Sequence, residues 1–144
     1  MPSSNLGGVA FHWNGKRWTL LSMPTSTRGA SFVSLQSVSC PDGLHCVVVG
    51  VDTFSSGERL LAYELVGSTW RRIQPESDPA WNLEGQGGLV SVSCTSPRSC
   101  VAVGPITIHR LQATLVESWH GGSWVPDVGS VRQRPPMLRR GVGS

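Results

Sequence analysis

Val38-Ser39-Cys40 followed by Cys46-Val47-Val48-Val49-Gly50 returns 54 residues later as Val92-Ser93-Cys94 and Cys100-Val101-Ala102-Val103-Gly104. The flanks keep step, with Leu35-Gln36-Ser37 matching Leu89-Val90-Ser91 and Trp70 matching Trp124. A third copy is partial: Trp13-Asn14-Gly15-Lys16-Arg17-Trp18 aligns with Leu65 to Trp70 and with Trp119 to Trp124. In all three a glycine (Gly15, Gly67 or Gly121) stands three residues before a tryptophan (Trp18, Trp70 or Trp124). Identity held at fixed spacing over this many positions is the mark of a repeated structural unit.

Each full unit reads as four short strands. Ser34 to Cys40 alternates in polarity, and Cys46 to Gly50 is a continuous apolar run suited to a strand covered on both faces. Leu60–Leu65 and Thr69–Ile73 complete the first unit; Leu89–Cys94, Cys100–Gly104, Ala113–Trp119 and Ser123–Val125 form the second. The N-terminus holds only the last two strands, Val9–Trp13 and Arg17–Leu21. Asn14-Gly15 between them tolerates positive φ at two successive positions, which predicts a tight type I′ turn. No segment carries a helical period.

A four-stranded antiparallel unit recurring about every 50 residues predicts a blade of a β-propeller. The fold class expected is therefore all-β: an incomplete propeller of two four-stranded blades plus an N-terminal half-blade. The half-blade spans 1–22, the complete blades 34–74 and 89–126, and a disordered basic tail 127–144. Gly50 after its valine strand, then Tyr63 and Trp70, and Trp18 followed by Met23-Pro24 and Arg28, resemble kelch repeats over residues 9–126. The glycine doublet of kelch repeats is Gly50-Val51 and Gly104-Pro105 here. The chain is also similar to secreted actinobacterial repeat proteins whose blades carry Ser-Val-Ser-Cys and Cys-x-Ala-Val-Gly. The Asp-box of sialidase-type propellers shares Gly-x-x-Trp, but its aspartate position is Trp13, Leu65 or Trp119 here.

Two and a half blades do not close a ring, so open faces and unpaired edges are expected. The sequence enters directly on the third strand of a blade, which reads as a fragment of a longer product. A homo-oligomer that completes the ring is the competing expectation, and self-association in solution follows from either.

Composition agrees with this architecture. The 144 residues include 17 Gly, 10 Pro and 20 Ser, with only 15% charged side chains, too turn-rich for a helical bundle and too apolar for a disordered chain. No run approaches the roughly 20 apolar residues of a membrane-spanning helix, so no membrane partner is expected. The net charge of +3 comes from the tail, where Arg132, Arg134, Arg139 and Arg140 face no acid. Residues 1–130 are close to neutral, which argues against a nucleic-acid partner: cations would have to cluster on folded structure.

Cys40 and Cys46 flank a turn-rich segment, Pro41 to His45, and Cys94 and Cys100 repeat the arrangement. Adjacent antiparallel strands put each pair within disulfide reach. Disulfide staples lead over free buried thiols, and a metal site trails both because the spacing is not that of zinc ligands. Bridges imply an oxidising, extracellular or cell-envelope location, although the opening residues have no basic start and apolar run of a signal peptide.

Catalytic candidates are thin. His12, His45, His109 and His120 make no metal spacing and read as surface or turn residues. Glu64 and Glu117 fall on the third strands of successive blades, where a carboxylate pair could perform glycoside hydrolysis; the plain reading is solvent-facing strand positions. No cofactor fingerprint is present, and no cofactor is expected. Trp18, Trp70 and Trp124 read as packing anchors rather than sugar platforms, with Trp18 expected to be the more exposed because its blade is half built. Trp81, in the loop Glu76 to Gly85 outside the repeat, is the best candidate for an exposed ligand-binding residue. These features point to a non-catalytic extracellular binding or scaffold module with a protein or glycan partner; the alternative is a fragment of a carbohydrate-active propeller enzyme.

Overall fold

A computed structural model describes residues 8–24, 29–78, 81–83 and 87–130, and every regular element among them is a strand. A hairpin of β1 (Ala10–Trp13) and β2 (Trp18–Leu21) stands alone. A four-stranded antiparallel sheet follows in sequential order: β3 (Phe32–Asp42), β4 (His45–Phe54), β5 (Gly57–Val66) and β6 (Thr69–Arg72). The last sheet contains β7 (Trp81–Asn82), β8 (Ser91–Ser96), β9 (Ser99–Ile108), β10 (Leu111–Trp119) and β11 (Trp124–Ser130). Strands β7 and β8 both pair with β9, at opposite ends of its length.

The repeat is also a repeat of register. Trp13 lies opposite Trp18, Leu65 opposite Trp70, and Trp119 opposite Trp124. Cys46 pairs with Leu65 on one side as Cys100 pairs with Trp119. The strands run longer than sequence patterning marked them, because β4 and β9 continue past their repeat glycines to Phe54 and Ile108. Strand β11 reaches Ser130, four residues into the stretch expected to be tail. The rest of that tail, residues 131–144, lies outside the described residues, as does Arg28 of the kelch-like stretch.

Those repeat glycines have a packing cause. A Cβ on Gly50 would fall 1.9 Å from the Ser34 carbonyl oxygen, and one on Gly104 1.6 Å from that of Gly88. No side chain fits between the two backbones at that point.

The turns depart from expectation. Asn14-Gly15 does not form a two-residue type I′ turn: the loop between Trp13 and Trp18 has four residues, and of these only Gly15 has positive φ (91°). The Asn14 side chain organises it, Oδ1 accepting from the amides of Lys16 (2.9 Å) and Arg17 (3.0 Å). Gly67 and Gly121 also adopt positive φ, as the hairpins there require. Instead the pair of positive φ values sits at His109 (48°) and Arg110 (67°), the two residues joining β9 to β10. A tight hairpin demands that geometry even without glycine.

The four-stranded sheet is the middle layer. Val47, Val49, Leu60 and Ala62 face the last sheet and bury Leu89, Val92, Ala102, Leu115, Trp119 and Trp124. From its opposite face Val48, Leu61, Tyr63, Leu65 and Trp70 meet Ala10, Leu21 and Met23 of the hairpin segment. The apolar run of β4 is thus covered on both sides, whereas β9 buries alternate residues only.

Candidate functional site

Two surface clefts hold the chemistry that the fold leaves open. The first is a groove of about 540 Å³ between the N-terminal hairpin and β3, lined by Phe11, Trp13, Trp18, Met23, Val38 and Trp70 among others. Among the described residues β1 pairs with β2 alone, whereas β5 and β10, at the same place in the repeat, have partners on both sides. The His12 ring lies with Nε2 3.1 Å from the Gly43 carbonyl oxygen and ties the hairpin to the β3–β4 turn. Trp13 and Trp18 form a tilted pair with centroids 5.4 Å apart and planes at 44°, the same values as Trp119 and Trp124. The surroundings differ. Trp119 and Trp124 are 3% and 2% exposed, and Trp124 donates its indole N–H to the Ile73 carbonyl (3.0 Å). Trp13 and Trp18 are 47% and 65% exposed. Trp70 is buried at the groove floor with its indole N–H unbonded.

The second cleft, about 670 Å³, is polar and contains the residue singled out from sequence: Ser56, Glu58, Arg59, Asp78, Trp81 and Asn82 contribute to its walls. Trp81 is not on an exposed loop. It is half-buried on β7, opposite Ile108, and packs against the main core as well as lining the cleft. Its sequence surroundings, rich in turn formers, conceal a strand because the pairing partner is the far end of β9.

The two glutamates are not solvent-facing, and they do not share a cavity. Glu64 is buried and ion-paired with Arg71 beside a small cleft near the first disulfide. Glu117 is 0% exposed, with neither carboxylate oxygen hydrogen-bonded. Burial, reinforced to a smaller degree by the charge of Glu76, pushes its carboxyl up to about 8. At the same register position the hairpin has Phe11 and the middle sheet Tyr63, so a carboxyl occupies an aromatic's place. Asp52, also fully buried, is held by Arg72 at 2.9 Å. Asp42 is exposed, and the Leu44 amide and then His45 hold its carboxyl below the usual range.

Both cysteine pairs are bridged, Cys40 to Cys46 and Cys94 to Cys100, with Cα atoms 4.0 Å apart in each. Two bridges are compatible with an extracellular location. Among the described residues no three His, Cys, Asp or Glu side chains group as a metal site, and no helix is long and apolar enough to cross a membrane. Sequence reading does not single out the hairpin groove as a site, although part of its signal is present: the Gly-x-x-Trp of the repeat occurs a third time at Gly15 to Trp18. No family model, curated protein or solved structure matches the chain.

Proposed function

We propose that the chain is a non-catalytic extracellular binding or scaffold module built from kelch-like propeller blades, and that a protein or glycan is its partner. The observation that carries this reading is the exposed aromatic groove at the hairpin, where the repeat leaves apolar surface that its counterpart in the last sheet buries. Contiguous exposed apolar surface marks interaction sites. The disulfides support an oxidising compartment, and the Trp81 cleft supplies a second, polar surface.

The purified chain should bind a member of a panel of cell-surface proteins and immobilised glycans. Trp13→Ala or Trp81→Ala should abolish that binding while leaving the circular dichroism spectrum intact. Release of sugar from a sialoside or another glycoside, lost in Glu64→Gln, would overturn the reading in favour of a carbohydrate-active enzyme.

A further inference from the structure

We propose that the hairpin groove seats a β-hairpin carried by a partner polypeptide, with Ser-x-Ser-Cys on its first strand and Cys-x-x-x-Gly on its second. This rests on the blade reading above and names the partner of that same groove. The template is the interface the chain already makes between its own sheets. There the amide of Val92 donates to Ser37 Oγ (3.2 Å) and that of Cys94 to Ser39 Oγ (3.0 Å). Hydroxyls on one unit's first strand therefore receive the edge amides of the next unit's first strand.

Val38 and Cys40 stand at the corresponding positions of β3, on the edge away from β4. Val92, covered by its neighbour, is 7% exposed; Val38 is 58% exposed and lines the groove. A second bare edge meets it there. Among the described residues, strand β1 lacks the partner that β4 gives β5 and β9 gives β10. In those pairs a cysteine falls opposite Leu65 or Trp119, so an incoming hairpin in the same register places its cysteine opposite Trp13. One occupant satisfies both edges: its second strand extends the sheet of β1, and its first presents two hydroxyls to Val38 and Cys40. Strand addition of this kind is a common mode of recognition. A second copy of the chain fits less well, because its own two Ser-x-Ser-Cys hairpins are already paired with β5 and β10.

The probe is an oxidised, fluorescently labelled peptide of the sequence 34–54, titrated into the full chain. Saturable one-to-one binding is expected. Replacing both peptide serines, Ser37→Ala and Ser39→Ala, should weaken it about tenfold, the effect of two neutral hydrogen bonds at modest net strength each. Val38→Lys in the chain should weaken it at least as much with an unchanged circular dichroism spectrum. Because a free hairpin is marginally stable, a second measurement joins a duplicate of 34–54 in front of Met1 through a Gly-Ser linker. Its unfolding midpoint should exceed that of the linker-only chain, and the double serine replacement in the duplicate should erase the gain. An unchanged midpoint together with no peptide binding overturns the proposal. So does a dimer that takes up no peptide and dissociates on Val38→Lys, which would make a second copy the occupant. A chain that ignores both hairpins yet binds a glycan or protein through the Trp81 cleft overturns the seat and leaves the module reading standing.

Discussion

The N-terminal hairpin and the β10–β11 hairpin are the same object in two environments. Both pair tryptophan with tryptophan across the strands, at one ring separation and one tilt. In β10–β11 the pair is enclosed by the middle sheet and bonded to Ile73; in β1–β2 it faces outward. Local sequence thus sets the hairpin's internal geometry, and the neighbouring layer sets how much that geometry stabilises. Hydrophobic stabilisation follows the area removed from water, so identical pairs contribute unequally.

The largest test of this contrast is Trp124→Ala against Trp18→Ala. Loss of the enclosed ring should cost about 3–5 kcal/mol, and loss of the exposed one less than about 1 kcal/mol. Urea denaturation of both variants measures the gap, and equal losses would break the comparison.

Glu117 sharpens it from within the buried hairpin. Phe11 and Tyr63 hold its register position in the other two units. Its carboxyl is raised, so between the ordinary carboxylate range and about 8 the folded chain holds a proton that the unfolded chain has released. Stability therefore falls as pH rises through that window, by up to about 1.4 kcal/mol per pH unit for one proton. Glu117→Gln should remove that slope and raise stability at pH 8 by on the order of 2 kcal/mol. Chemical denaturation at pH 5 and pH 8 checks the sign; a wild-type chain more stable at pH 8, with Glu117→Gln following the same trend, would refute it.

The disulfides ask whether equal geometry means equal stabilisation. Both close loops with a sequence separation of 6. Removing either pair by double Cys→Ala replacement should cost about 2 kcal/mol on the chain-entropy account. A clearly larger loss for Cys94 and Cys100, which pack on the larger of the two core clusters, would show that packing rather than loop closure dominates.

The smallest effect lies at the β9–β10 turn. Arg110 holds φ of 67°, a conformation that costs a non-glycine residue about 1 kcal/mol. Arg110→Gly should recover part of that cost in thermal unfolding, and a fall in the midpoint would mean that the arginine side chain contributes more than its strain removes.

Much of the architecture can be read directly from the residues. The four-strand order within each unit and the two cysteine staples follow from spacing, whereas the register of Leu65 with Trp70 and of Trp119 with Trp124 does not, because a two-residue turn at the repeat glycine pairs other residues. The order and the staples depend on backbone hydrogen bonding, alternation and turn length, all expressed within some ten residues. The Asn14-Gly15 dipeptide misleads because its side-chain hydrogen bonds to Lys16 and Arg17 favour a longer loop than the pair suggests.

The candidate sites are less legible. From the residues alone it follows that the chain repeats a four-stranded unit with paired cysteines and that Gly15 to Trp18 belongs to the same pattern. Two features required the tertiary structure: Trp81 is a strand residue on the end of β9, and Glu117 is enclosed without a hydrogen-bond partner; the exposure of Trp18 relative to Trp124 is the open face already expected of a half-built unit. The physical reason is that pairing is written into adjacent strands, whereas burial depends on which sheet comes to lie against them, and that neighbour is remote in the chain.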